Sequence, residues 1–309
     1  MVDISVVIPL YNKRDYIIRA VQSVLEQTYQ ALEIIVVDDG SNDGSAELVR
    51  KLAHSKIRII RQSNQGVSSA RNTGWKASMG AHIAFLDADD YWQSSFLEQI
   101  GLLIESYPDA GAYCSAYSFL IDGVRKPAKL SEVPHRSGLL DNYYASASKG
   151  HLPVTASSVV IKKSKLQQFN GFPVGWPMGE DQFMWMSLAS HSKIAFVNID
   201  LVTYVHQVDG SACSVNKVLE PLPHVKLLNC WLQEGVIARE HTQAVKVLLN
   251  RSGIYMVLNN ISSGRTVEAR AYLKSLPYIS WNVLSIASFV LSYLPNKWSS
   301  FVIQKVLKK

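Results

Sequence analysis

The sequence predicts an α/β fold in which a central, mainly parallel sheet is flanked by helices. Two observations support this prediction. Short runs of β-branched and other apolar residues, beginning with Ile4–Leu10, are typical of strands buried on both faces of a parallel sheet. The stretches between them have helical apolar spacing, as at Ile17, Val21 and Val24, and this alternation of strand and helix is the pattern of βαβ units.

The elements follow one another regularly through the first part of the chain. After the first strand and a helix within residues 13–28, the patterns predict strands at 33–37, 57–61 and 83–86, alternating with helices at 45–53 and 68–79. From about residue 111 the pattern changes to short strands and loops, with strand-like runs at 111–120 and 157–162, a helix from Glu180 and a strand pair over 194–205. From about residue 216 the spacing is helical, so we expect three regions, 1–110, 111–215 and 216–309.

Charge is distributed unevenly along the chain. Residues 1–215 hold 19 Lys and Arg against 21 Asp and Glu, whereas residues 216–309 hold 12 against 4, so the overall net charge of +6 conceals a basic C-terminal region of net charge +8. A basic region indicates an anionic partner such as nucleic acid, a membrane surface or a phosphorylated lipid, or simply a solvated helical face. The segment 297–309, with Trp298 and Phe301 among four lysines, is compatible with an anionic membrane surface or with an amphipathic helix packed on the protein.

Cysteine usage and the chain start favour a cytoplasmic location. Cys114, Cys213 and Cys230 form no CxxC pair, which suits a reducing compartment. The start of the chain has an acidic residue at position 3 and only a short apolar run, unlike a signal peptide. Residues 279–294 are strongly apolar but are interrupted by asparagine and serine, and a spanning helix needs about 20 apolar residues, so we expect an interfacial or buried helix.

The first turn of the fold excludes the commonest nucleotide-binding signatures. A dinucleotide fold and a Walker-type phosphate loop both need glycines at the first strand–helix turn, where the backbone approaches phosphate. The first glycine of this chain is Gly40, so a dehydrogenase is disfavoured. A diphosphate would need another counter-charge, and clustered aspartates point to a divalent metal ion.

Polar clusters follow three of the predicted strands. Tyr11-Asn12 follows the first strand, Asp38-Asp39 the second, and Asp87-Ala88-Asp89 the fourth. In a parallel sheet these ends meet at one edge, where ligands bind. Asp87 and Asp89 share one side of an extended segment, and Mg²⁺ or Mn²⁺ uses a few carboxylates together with phosphate oxygens and water. One carboxylate can therefore hold the metal and the other a ribose hydroxyl, unless the segment is only a solvated turn.

Three further positions have both a functional and a structural interpretation. Asp39 can accept the N3–H of uracil, although the following Asp43-Gly44 is an ordinary turn. Arg71 can pair with a diphosphate or with the acidic cluster. Glu180-Asp181 can supply a general base for an acceptor hydroxyl, or can simply place acidic residues favourably at a helix N-terminus.

In their order along the chain, these motifs resemble the inverting family 2 glycosyltransferases, whose fold is called GT-A. The matching segments are VVIPLYNK at 6–13, EIIVVDDGSNDGS at 33–45, NQGVSSARNTGWKAS and GAHIAFLDADD within 64–90, and, within 171–181, the dipeptide GF and the tripeptide GED. The resemblance covers roughly residues 3–210. It implies a donor-binding part at 1–110 and an acceptor-binding, catalytic part at 111–215.

The resemblance also implies roles on the donor side. It implies that the nucleotide base is held by Pro9, Tyr11 and Asp39. Arg71 would face the base or the diphosphate, and Asp87 would hold the ribose. Asp89, the last residue of the DxD motif, would coordinate Mn²⁺ or Mg²⁺.

On the catalytic side, the resemblance implies that Asp181 is the base and that Glu180 helps to position the acceptor. Some relatives have a histidine after the last strand that reaches the metal or the diphosphate, and His206 is the candidate here. Asp90 adds a third carboxylate, which would support the site or face solvent.

The implied function is transfer of a hexosyl or N-acetylhexosaminyl group from a nucleotide-diphosphate sugar to a glycan or lipid-linked acceptor in cell-surface polysaccharide synthesis. Uridine is the favoured base, with thymidine and guanosine left open. The basic tail would suit a peripheral position on the cytoplasmic membrane face, and no nucleic acid partner is expected. Two alternatives remain: a sugar nucleotidyltransferase, disfavoured because the Gly-rich first loop is missing, and a non-catalytic membrane-docking or scaffold protein that has kept the fold.

Overall fold

The structure is a computed structural model that describes residues 2–206, 219–279 and 283–293. The chain divides into two compact units, Met1–Asp209 and Gly210–Lys309. The first unit contains every residue that the sequence analysis proposed for the site. The predicted boundary near residue 110 falls inside this unit, and it remains a prediction about function.

The first unit is built on a single sheet. Ten strands belong to it within the described part of the chain: β1 (Ile4–Leu10), β2 (Glu33–Asp38), β3 (Ile57–Arg61), β4 (His82–Phe85), β5 (Tyr91–Trp92), β6 (Ala112–Ile121), β7 (Val124–Pro127), β8 (Ser137–Leu139), β9 (Val159–Lys162) and β10 (Ile194–Val205). Their order across the sheet is β3-β2-β1-β4-β9-β6-β10-β5, with β7 beside β6 and β8 beside β10.

Helices alternate with these strands. They are α1 (Ile17–Leu25), α2 (Ser45–Lys51), α3 (Val67–Ala77), α4 (Phe96–Ser106), α5 (Tyr143–Lys149), α6 (Lys163–Gln168) and α7 (Glu180–His191), with a short 3-10 helix at Ala156–Ser158. Helix α4 lies in a stretch to which the sequence analysis assigned no element. The predicted α/β fold class is confirmed, with helices flanking an open central sheet.

The parallel part of the sheet places three strand ends together. Strand β1 runs parallel to both β2 and β4, and β2 runs parallel to β3. Leu10 lies opposite Asp38, and Val7 lies opposite Phe85. All residues of β1 and β2 are buried, as expected of strands covered on both faces. The segments that follow β1, β2 and β4 therefore leave the sheet at the same edge.

The other half of the sheet differs from the simplest expectation. Strand β9 runs antiparallel to both β4 and β6, so the parallel order is interrupted next to β4. Residues 194–205 form one long strand, not the predicted pair. Its pairing with β6 shifts register on either side of Asp200, and such irregularities bend a strand without ending it.

The second unit is helical, as its apolar spacing predicted. Its helices are α8 (Pro223–Gln233), α9 (Thr242–Ser262), α10 (Thr266–Ser275) and α11 (Val283–Leu291). Its core includes Ile254, Val257, Leu273 and Leu291. In the described part of the chain, no helix is both long and apolar enough to cross a membrane. The proposed membrane-contacting segment 297–309 lies outside the described residues.

Candidate active site

Arg71 connects the two halves of the predicted site. It is buried on α3, with 3% of its surface exposed. Its Nη2 donates to Asp87 Oδ1 at 2.7 Å, and its Nη1 donates to Glu180 Oε1 at 3.2 Å. Its guanidinium also lies over the ring of Phe172, 5.4 Å from the centroid. The predicted pairing of Arg71 with acidic side chains is therefore present, and its pairing with a diphosphate stays a prediction.

The charge of Arg71 is permanent in this environment. Burial lowers the pKa of a guanidinium, but the carboxylates of Asp87 and Glu180 outweigh burial and raise the pKa of Arg71 above its ordinary value. Both carboxylates are therefore matched by a fixed cation, which is how a buried charge avoids a large desolvation penalty.

The N-terminus of α7 presents Glu180 and Asp181 together. Gly179 precedes the helix with φ at +87°, a left-handed conformation that a glycine adopts without strain. Burial raises the pKa of Asp181 to about 6; the charge of Glu180 adds to this effect, while Arg71 opposes it. A carboxylate with a pKa in this range is a stronger base than an ordinary aspartate and is still ionised at neutral pH.

Asp90 supports the turn after β4 through hydrogen bonds of its buried carboxylate. This residue is 1% exposed. Its Oδ2 accepts from Ser157 Oγ at 2.6 Å, and its Oδ1 accepts from the backbone N–H of Val205 at 2.9 Å. Ser157 Oγ in turn accepts from the N–H of Asp87 at 3.1 Å. Burial, reinforced by the charges of Asp89 and Asp87, raises the pKa of Asp90 well above its usual range. Asp90 is thus a buried support and does not face solvent.

Asp89 is paired with a lysine that the sequence analysis did not select. Lys13 Nζ lies 2.8 Å from Asp89 Oδ2, and the two side chains are 15% and 17% exposed. Arg19 Nη2 donates to the backbone oxygen of Asp89 at 3.2 Å. The sequence offered one indication of this pairing. Lys13 ends the polar segment that follows β1, and β1 lies beside β4, the strand that precedes Asp87.

The donor set fits a divalent cation only in part. Among residues 2–206, 219–279 and 283–293, no group of three His, Cys, Asp or Glu side chains could hold a metal ion. One carboxylate suffices for Mg²⁺ or Mn²⁺ when phosphate oxygens and water complete the coordination, and Asp89 can supply it. His206 is exposed, and its ring lies 6.3 Å from that of Phe119. Its role as a ligand stays a prediction.

The residues predicted to bind the base lie at the end of β1 and in the loops that follow β1 and β2. Pro9 is buried inside β1, whereas Tyr11 is 46% exposed. Asn12 joins these loops, because its N–H donates to Ser41 Oγ at 3.1 Å and its Oδ1 accepts from the N–H of Asn42 at 2.9 Å. Tyr11 therefore presents its ring from an anchored loop.

Asp39 already has a structural task. It is 3% exposed, and its N–H donates to Leu10 O at 2.8 Å. Its carboxylate accepts from the N–H groups of Gln65 and Gly66 at 2.9 and 2.8 Å and from Gln62 Nε2 at 2.8 Å. A carboxylate has about four acceptor sites, so these three hydrogen bonds leave one unused.

Comparison with known proteins places this chain in a family. The sequence model described as "Glycosyl transferase family 2" matches residues 5–158. The Escherichia coli protein WfaP, named UDP-Glc:alpha-D-GlcNAc-diphosphoundecaprenol beta-1,3-glucosyltransferase, is 30% identical over 221 residues, which are 70% of this chain and 82% of that protein. An uncharacterized glycosyltransferase of Rickettsia conorii is 33% identical over 199 residues, or 64% of this chain.

The chain is shorter than several of these relatives. It spans 32% of the length of the Rickettsia conorii protein and 30% of the length of the glycosyltransferase GlyA from Streptococcus pneumoniae. The similarity to these two proteins therefore concerns about a third of each.

Solved structures share the fold. Residues 1–349 of TarS from S. aureus, in complex with UDP-GlcNAc, superpose with a TM-score of 0.72 at 16% identity, covering 98% of this chain and 92% of that one. The mannosyltransferase PcManGT from Pyrobaculum calidifontis, in complex with GDP-Man and Mn²⁺, gives a TM-score of 0.56 at 18% identity, covering 98% of this chain and 84% of that one.

Proposed function

The chain belongs to glycosyltransferase family 2 and has the GT-A fold, and from this premise we propose that it is an inverting glycosyltransferase. The donor is a nucleotide-diphosphate sugar, with uridine as the base. The acceptor is a hydroxyl of a glycan or lipid-linked saccharide in cell-surface polysaccharide synthesis. One observation carries the proposal: Arg71 holds Asp87, on the donor side, and Glu180, beside the proposed base, in a single network.

The donor side rests on the edge formed by β1, β2 and β4. Tyr11 offers an exposed ring to the base, Asp39 retains one acceptor site for its N–H, and Asp87 keeps a second carboxylate oxygen for a ribose hydroxyl. The names of relatives and neighbours support the choice of uridine, since WfaP is named for UDP-Glc and the TarS complex contains UDP-GlcNAc.

The catalytic step is a single displacement with Asp181 as base. The acceptor oxygen attacks the anomeric carbon while the bond from that carbon to the diphosphate oxygen breaks, and Asp181 takes the hydroxyl proton. Attack opposite the leaving group inverts the anomeric configuration. Glu180, held by Arg71, orients the acceptor. Bound at Asp89, a divalent cation would supply positive charge to the leaving diphosphate.

A lipid-linked acceptor implies work at a membrane surface, and α11 supports this part of the proposal. Its serines at 285 and 288 are buried, whereas Ile286 and Val290 are 49% and 53% exposed. These two residues lie four positions apart and therefore on one face of the helix. Together with the net charge of +8 over residues 216–309, an exposed apolar stripe suits peripheral binding to anionic lipid.

Nucleotide binding is the first test of the proposal. The melting temperature is measured with UDP, dTDP, GDP and CDP, each with and without MnCl₂. A ligand at about 100 times its dissociation constant adds roughly 2.7 kcal/mol, or a shift of several degrees. Stabilisation by one diphosphate supports the proposal and identifies the base. A folded protein that responds to none of the four would favour the non-catalytic scaffold alternative.

Transfer itself is the second test. UDP release from UDP-Glc and UDP-GlcNAc is measured with a GlcNAc-diphospholipid acceptor, for the wild type and for Asp181→Asn. The proposal expects acceptor-dependent release that is lost in the variant. Release that continues at the wild-type rate in Asp181→Asn would remove Asp181 from the role of base. Asp109→Asn is the matched control, because it neutralises an exposed aspartate outside the proposed site and should leave UDP release unchanged.

A further inference from the structure

Lys13 is a cation whose hydrogen-bonding capacity is largely unused. Its side chain is 15% exposed, and Nζ itself is shielded from solvent. The contact with Asp89 Oδ2 at 2.8 Å is a charge pair, but no described atom meets the geometry of a hydrogen bond to Nζ. An ammonium group has three N–H donors, and leaving buried donors unpaired is costly. The arrangement is therefore incomplete without a further acceptor.

The neighbouring arginines are committed to the protein itself. Arg14 donates to the backbone oxygen of Asp43 at 2.8 Å, and Arg19 donates to the backbone oxygen of Asp89 and lies over the Tyr91 ring. Arg71 holds two carboxylates at 2.7 and 3.2 Å. Lys13 differs from these three because its one partner among the described residues is the carboxylate proposed to bind the cation.

The position of Lys13 is that of a diphosphate-binding group. It follows β1 and reaches the carboxylate that follows β4, and these two strands are adjacent and parallel. Ligands of such sheets bind outside the carboxyl ends of the strands. No glycine-rich turn is present after β1 to offer backbone N–H groups to phosphate. A side-chain cation is thus the positive group that β1 contributes to this edge.

We propose that Lys13 is an exchangeable counter-ion of Asp89: it neutralises this carboxylate in the free protein and transfers to a phosphate oxygen of the donor when a divalent cation occupies Asp89. The inference rests on the proposed function, because it requires a diphosphate at this edge. The exchange makes Lys13 a residue that binds the sugar donor. It also explains why the buried ammonium group has N–H groups without acceptors.

Two opposite effects on binding follow from this exchange. Lys13 competes with a divalent cation for Asp89, so the metal alone binds more weakly than to a free carboxylate. The same ammonium attracts a diphosphate even without metal, since a charge-assisted hydrogen bond to phosphate is among the stronger polar contacts. Removing the charge should strengthen the first interaction and weaken the second.

The test measures both affinities by titration calorimetry in Lys13→Met. The first probe is MnCl₂ alone. The second, used without metal, is whichever of UDP, dTDP, GDP and CDP stabilises the wild type most. We expect Mn²⁺ to bind about tenfold more tightly and the metal-free diphosphate about tenfold more weakly, as one charge-assisted contact predicts. Lys13→Arg keeps the charge and should restore metal-free diphosphate binding. Lys51→Met removes an exposed lysine and should change neither affinity.

The outcomes separate this inference from the proposed function. If the folded wild type binds none of the four diphosphates with or without MnCl₂, both fail. If the wild type binds one of them but Lys13→Met leaves both affinities unchanged, or moves them in the same direction, the exchange is wrong and the proposed function stands. Melting curves of Lys13→Met and Lys13→Arg are measured to check that each variant is folded.

Discussion

Arg71 donates a hydrogen bond to Glu180 at 3.2 Å across 109 positions of sequence, while its other terminal nitrogen holds Asp87 at 2.7 Å. One buried guanidinium therefore fixes the distance between the turn after β4 and the start of α7. In the proposed reaction these are the places where the leaving nucleotide and the attacking hydroxyl are held.

Replacing Arg71 should harm both stability and the proton transfer. Arg71→Met leaves Asp87 and Glu180 without their cation, and breaking such buried pairs costs about 3 kcal/mol or more. Because Arg71 holds down the pKa of Asp181, its loss should also move that pKa above 6. Denaturant unfolding and the pH profile of transfer measure the two effects. Arg50→Met, which breaks the exposed pair with Glu47, should change stability by less than about 1 kcal/mol.

The rate of transfer should follow the ionisation of Asp181. Its pKa is raised to about 6, so kcat/KM should be low below this pH, rise through it and level off above it. Above pH 6, where the wild-type base is ionised, Asp181→Asn should lower the rate by about 10² to 10⁴-fold, the usual contribution of a general base, and the difference should shrink as the pH falls below 6. Steady-state kinetics from pH 4.5 to about 8.5 checks the profile. An unchanged rate across this range in the wild type would contradict the assignment.

The same carboxylate should lower the stability of the fold at higher pH. Its folded-state pKa is raised from the ordinary value of 3.8 to about 6, so the stability it contributes is present at acidic pH and is lost as the pH rises through 6. Asp181→Asn cannot ionise. Its melting temperature should exceed that of the wild type above pH 6, and the difference should shrink towards pH 4. A constant difference across the range would contradict the raised pKa.

Substitutions at Asp89 and Asp90 should have different effects. Those at Asp89 should mainly weaken metal-dependent nucleotide binding, and those at Asp90 should mainly lower the stability of the fold. Asp90 is buried and accepts two hydrogen bonds, so Asp90→Ala leaves Ser157 and the Val205 N–H unpaired and should cost about 2 kcal/mol of stability. Asp89→Ala made together with Lys13→Met removes both members of their charge pair and should cost less than about 1 kcal/mol. Conversely, Asp89→Ala should abolish the metal-dependent part of the nucleotide-induced melting shift. Equal losses of stability in both variants would contradict this division.

The apolar stripe on α11 should bind anionic lipid. Ile286→Glu with Val290→Glu places two charges on the exposed face, and co-sedimentation with phosphatidylglycerol vesicles should fall about tenfold or more, because burying these side chains contributes a few kcal/mol. Val247→Glu changes an exposed residue on α9 and is the control. Phosphatidylcholine vesicles should bind the wild type more weakly. Equal binding of all three proteins would show that α11 does not carry the contact.

Much of the architecture follows from local patterns. Runs of β-branched residues predicted β1 and β3 at their observed bounds, and helical spacing located α2, α3 and α7 to within a few residues. Helix α4 was missed, although Phe96, Ile100 and Leu103 are buried at helical spacing. The strand pair expected over 194–205 was wrong, because these residues form one continuous strand whose register against β6 shifts around Asp200.

The sequence by itself determined the order of elements and the polar strand ends, because side-chain periodicity and turn chemistry are properties of neighbouring residues. Only the tertiary structure decided which charges meet. The antiparallel insertion of β9 beside β4, the pairing of Lys13 with Asp89, and the link from Arg71 to Glu180 join segments far apart in the chain. The raised pKa of Asp181 belongs to the same class, because its main cause is burial, which no local motif encodes; the adjacent charge of Glu180 adds to it, and Arg71 opposes it.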